Sequence, residues 1–140
     1  MRKFSIDGFN ITEAINELMH ESGVIVIENA YNLNDIKEAR EIVNHFADTQ
    51  EQKETHFNAE AEASDKIKLQ QRIWNLFGKG EVFSKLITND IIFSLMSKLL
   101  GSEFFCGSYC ASRLLPGSIG QELHIDCLLY TSPSPRDWTI

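Results

Sequence analysis

Apolar residues change their spacing several times along the chain, and each change predicts an element. Ala14, Ile15, Leu18 and Met19 recur at helical spacing behind Thr12, with Gly23 just beyond them. This predicts an amphipathic helix capped by Thr12 and stopped by a glycine at a C′-type position. Val24-Ile25-Val26-Ile27 is a β-branched run, short enough to predict a buried strand rather than a helix. Ile36, Ala39, Val43 and Phe46 then form a second helical stripe, with Asn32 or Asn34 as its cap. Residues 48–65 are polar and charged, including Glu60-Ala61-Glu62, and read as a solvated helix end plus loop.

Residues 67–77 mix polar positions with Ile73, Trp74, Leu76 and Phe77, and Gly78-Lys79-Gly80 interrupts them. A short helix is predicted over 81–87. A further helix follows Asn89, with Ile92, Leu95, Met96 and Leu99 on one face and Gly101 as its stop. Residues 104–115 carry aromatic and aliphatic side chains and predict one or two strands. Pro116-Gly117-Ser118-Ile119-Gly120 predicts a turn or loop, after which 121–126 returns to an extended state. Helices come first and strands last, which predicts an α+β domain.

Composition narrows the class. The chain has 140 residues, 43% of them hydrophobic, enough for one domain with a modest core. Its formal net charge of -7 argues against a nucleic-acid surface, which needs clustered Lys and Arg. No apolar run is long enough to span a bilayer, and Met1-Arg2-Lys3-Phe4-Ser5 lacks the apolar core of a secretory signal. Cys106, Cys110 and Cys127 are an odd number without close pairing, so a reduced, cytoplasmic protein is expected. Cys106 and Cys110 are conceivable zinc ligands, but no second pair stands nearby to complete such a site.

The residues with the most chemical content are His124 and Asp126. Two apart on an extended segment, they point to the same face. One imidazole and one carboxylate aimed at one point supply two ligands of the 2-His-1-carboxylate triad that holds non-haem Fe(II). The competing reading is a polar pair at a strand end. His20, His45 and His56 lie on the helical N-terminal part and are expected to be surface residues, not a third ligand. Trp74, Phe77, Phe83, Phe104 and Phe105 are expected to be core aromatics. Glu122 is left as solvent-facing.

Arg72-Ile73-Trp74-Asn75-Leu76, then Leu99-Leu100-Gly101, then Pro116-Gly117 ahead of Gln121-x-Leu123-His124-x-Asp126 resembles the phytanoyl-CoA dioxygenase family. The strand at Gly23-Val24-Ile25-Val26-Ile27 is similar to one in the family's N-terminal part, and the resemblance covers nearly all of residues 8–126. It implies N-terminal helices packed on a double-stranded β-helix (jelly-roll, cupin-like) core, here incomplete. It also implies Fe(II), the cosubstrate 2-oxoglutarate, O2 and a small-molecule substrate. The implied chemistry is oxidative decarboxylation of 2-oxoglutarate to succinate and CO2, coupled to hydroxylation of a small organic or acyl substrate. By the same resemblance His124 and Asp126 are the iron ligands. Arg72 falls where some members carry a basic residue that touches 2-oxoglutarate, a role suited to a guanidinium facing a carboxylate. Ala111 lies near another family contact to the cosubstrate, flanked by Ser112 and Arg113. The family's distal His ligand and the Arg after it have no counterpart after Asp126. Turnover is therefore expected of the parent protein and not of this chain.

Residues 127–137, Cys-Leu-Leu-Tyr-Thr-Ser-Pro-Ser-Pro-Arg-Asp, are poor strand material where a sheet should continue. They resemble the translation of a transposase adaptor used to prepare sequencing libraries. On that reading residues 1–126 are the N-terminal part of the oxygenase-like domain, 127–140 are a non-native tail, and the natural residue at 126 is Asp or Glu. An ordinary Pro-containing C-terminal segment is the other reading. Two function classes compete with the oxygenase: a cupin-like metal enzyme that uses no 2-oxoglutarate, and a non-catalytic helical interaction module in which His124-x-Asp126 is incidental.

Overall fold

The structure is a computed structural model and describes residues 1–51 and 69–119. These form a mixed helix and strand arrangement of the α+β kind. In chain order they are β1 (Arg2–Ser5), α1 (Ile11–His20), β2 (Ile25–Glu28), α2 (Leu33–Thr49), β3 (Gln70–Ile73), a 3-10 turn (Leu76–Gly78), α3 (Glu81–Ile87), α4 (Asp90–Leu100) and β4 (Ala111–Leu114). β1 and β2 pair in parallel, β3 and β4 antiparallel, as two separate two-stranded sheets. Among the described residues the strands do not assemble into a jelly roll.

The helix ends follow local chemistry. α1 is capped by Asn10, not Thr12, because the Asn10 side-chain oxygen accepts from the N–H groups of both Thr12 and Glu13. The Asn10 amide donates in turn to the Glu13 carboxylate at 3.1 Å, a reciprocal arrangement like a capping box. Asn32 rather than Asn34 caps α2, accepting from the N–H of Asn34 at 2.8 Å. Asn89 caps α4 through the N–H groups of Ile91 and Ile92, and its own amide donates to the Ala30 carbonyl at 2.7 Å. That last bond ties the start of α4 to the segment entering α2. α4 stops at Gly101, whose φ of 91° an L side chain would strain to adopt.

Two apolar clusters hold these elements together. One joins Phe4 of β1, Ala14 of α1 and Leu95 of α4, with Ile15, Leu18, Ile25, Ile27 and Leu99 packed around them. The other joins Ala39 and Ala47 of α2, Ile73 of β3, Leu76, and Val82 and Phe83 of α3, with Ile42, Val43, Phe46 and Tyr109 at its margin. The Tyr109 ring meets Phe77 and Phe83 edge-on, and its carbonyl accepts the Leu76 N–H at 3.0 Å.

Several expectations need correction. Strands do not all come last, since β1 and β2 precede most of the helices. β1 has one buried residue, Phe4, so its alternation is too brief to read from a pattern. The run at 24–27 is shifted to Ile25–Glu28 and is half-buried, with Val24 exposed, because a two-stranded sheet has little to bury itself between. Only Ala111–Leu114 of the 104–115 stretch is strand. Phe105 stands 87% exposed outside any ladder, so the expectation that it belongs to the core also fails. Phe77 and Trp74 are likewise exposed at the surface, whereas Phe83 is buried as expected.

Candidate functional site

The antiparallel pair β3–β4 positions the residues of interest. Its register sets Gln70 opposite Leu114, Gln71 opposite Arg113, Arg72 opposite Ser112 and Ile73 opposite Ala111. Directly opposed residues share a face, and neighbours along a strand alternate. One face therefore carries Gln71, Ile73, Ala111 and Arg113, and it packs on α2. The other carries Gln70, Arg72, Ser112 and Leu114, of which Gln70 is buried and Ser112 and Leu114 are exposed. Arg72 and Ala111, both singled out from the sequence, thus lie on opposite faces. Ala111 packs against the α2–α3 cluster, while the Arg72 guanidinium lies 4.8 Å from the centre of the Trp74 ring. Ser112, not Ala111, shares the Arg72 face.

Arg113 is the most heavily bonded side chain of the site, and sequence reasoning gave it no role. Its Nε donates to Gln71 Oε1 at 2.6 Å across the strand pair, its Nη1 to Asn44 Oδ1 at 3.1 Å, and its Nη2 to the Asp48 carboxylate. One planar fork thus fastens β4 to β3 and to the C-terminal half of α2. A signal was present in the pattern. Arg113 is two residues from Ala111 on a strand, so both face the same way, and Asn44 and Asp48 stand one helical turn apart.

The chain leaves β4 along a firmly bonded path. The Leu115 N–H donates to the Leu69 carbonyl at 2.9 Å, and Ser118 N–H donates back to the Leu115 carbonyl at 3.1 Å. With Pro116 second and Gly117 third at φ 86°, this is a type II turn, which requires glycine or asparagine at that third place. The buried Gln70 amide then donates to the Ile119 carbonyl at 2.5 Å. His124 and Asp126 follow five and seven residues after Ile119 in the sequence and lie outside the described residues, as do His56, Glu122, Cys127 and the segment 127–140.

The other chemical groups do not gather. His20 and His45 are exposed on α1 and α2, as expected, and the His45 ring rests edge-on against Phe46. Cys106 is exposed and Cys110 half-buried, both as free thiols, and the Cys106 Sγ donates to the Ser108 carbonyl at 3.2 Å. Among the described residues no three His, Cys, Asp or Glu side chains are placed to hold a metal ion. Burial pushes the Tyr109 phenol above its ordinary pKa, helped by the neighbouring Tyr31 and Cys106. At the surface, a hydrogen bond and charge attraction from Glu28 raise the Lys3 ammonium. No described helix is long and apolar enough to cross a membrane. Comparison with models of known protein families, with curated proteins and with solved structures finds no match to this chain.

Proposed function

We propose that this chain carries the N-terminal part of an Fe(II)- and 2-oxoglutarate-dependent dioxygenase that hydroxylates a small organic or acyl substrate inside the cytoplasm. One observation carries the reading: the ordered set of Arg72-Ile73-Trp74-Asn75-Leu76, Pro116-Gly117 and His124-x-Asp126 in the pattern of the phytanoyl-CoA dioxygenase family. The strand pair supports it in three ways. Arg72 is on the sheet face opposite the one that packs on α2, where a second sheet of a jelly roll would lie. Leu114 on the same face is 63% exposed, an apolar side chain with room for a covering layer. The bonds around Leu115, the Pro116-Gly117 turn and Ile119 give the segment bearing His124 and Asp126 a rigid point of departure.

In this reading His124 and Asp126 would hold the iron together with a distal His, leaving open positions for the keto acid and O2. Bound iron supplies the oxygen chemistry. The chain's own contribution is placement. Arg72 would pair with a carboxylate of 2-oxoglutarate, its guanidinium steadied by the Trp74 ring. Arg113 would hold the strand from which the ligand segment departs.

The test begins with the nucleotide sequence of the parent locus across codon 126. A frame that continues into further strands, a second His and a downstream Arg is the expected result. The protein encoded by that frame should then release succinate from 2-oxoglutarate in an Fe(II)-dependent way, and His124→Ala should abolish this. A locus that encodes residues 127–140 and stops would overturn the reading in favour of an interaction module. Metal binding without succinate release would favour a cupin-like enzyme that needs no keto acid.

A further inference from the structure

We draw no further inference here: the strongest candidate, the apolar surface patch that Phe93 and Leu100 form on one face of α4 with Phe104 against Phe93, carries nothing because nothing among the described residues shows what covers it.

Discussion

Removing the Arg113 fork tests whether a single side chain fastens the sheet to the helical layer. In Arg113→Met the unbranched stem is retained and all three donated bonds are lost. Their contributions differ. The Asp48 carboxylate is 65% exposed and the Arg113 side chain 24%, so that ion pair is bathed in water and contributes about 0–1 kcal/mol. The bonds to Gln71 and Asn44 lie part-buried between β4, β3 and α2, and bonds from a charged donor contribute about 1.5–3 kcal/mol when deleted singly. The two acceptors regain some water in the variant, so the total expected loss is about 2 kcal/mol. With a urea dependence of roughly 1–3 kcal/mol per molar, the unfolding midpoint should fall by about 1 M. Trp74, which follows β3 and lies under the Arg72 guanidinium, reports the transition by fluorescence. A Trp138→Phe background leaves it as the single tryptophan of the two in the chain. Arg113→Lys keeps the charge but not the planar fork and should lose about 1 kcal/mol. Asp48→Asn removes only the exposed ion pair and should lose at most about 1 kcal/mol. If Asp48→Asn cost as much as Arg113→Met, the argument from the part-buried bonds would be wrong. An unchanged midpoint in Arg113→Met would refute the anchor altogether.

Other perturbations separate the remaining contributions. Ile73 is fully buried between β3 and α2, so Ile73→Ala should destabilise by about 3 kcal/mol. Leu114→Ala, on the exposed face of the same pair, should cost about 0.5 kcal/mol, and urea midpoints that fail to differ would contradict the assignment of faces. Asn89→Asp keeps the cap acceptor for α4 but loses the donor to Ala30. It should cost less than Asn89→Ala, which forfeits both and should lose about 2 kcal/mol, as compared in thermal melts. Tyr109 has a folded-state pKa raised by burial. The stability it contributes is therefore fully present below the unfolded-state value of about 10 and is lost as pH rises through the higher folded value. Tyr109→Phe should flatten the decline in urea midpoint between pH 9 and pH 11, and an equally steep decline in the variant would discount this phenol as its source.

The sequence yielded its helices more readily than its strands, for physical reasons. α3 and α4 have the bounds predicted from spacing and from Asn89, because a helix signals itself within one segment through its stripe and its cap. The cap of α1 lies two residues before the expected Thr12, since Thr12 and Asn10 are both good caps and the choice depends on which oxygen meets the free N–H groups. β1 and β3 have four residues each, and their stability comes from partners far along the chain, Ile25–Glu28 and Ala111–Leu114. Nothing local to Gln70-Gln71-Arg72-Ile73 announces a strand. The separation of Arg72 from Ala111 onto opposite faces was equally hidden, because it depends on the β3–β4 register. Asp48 read as part of a solvated run, yet its position one turn after Asn44 makes it an acceptor for Arg113.

The two apolar clusters draw on the chain in alternation. The first takes Phe4 and Ala14, the second takes residues from Ala39 to Phe83, and Leu95 then returns to the first. The stretch from Ile27 to Leu95 is therefore a loop closed by the first cluster, and most of the second cluster lies within it, with Tyr109 and Ala111 added from beyond Leu95. Closing that loop costs entropy, which the burial of Leu95 against Phe4 and Ala14 offsets. A nick between Asn29 and Asn32 would divide the molecule unevenly. The longer piece would keep the second core whole, but α4 would present Leu95 and Leu99 bare. The first 28 residues, with β1, α1 and β2, are thus the cover of that helix, joined to the second core through the single crossing at residues 29–32.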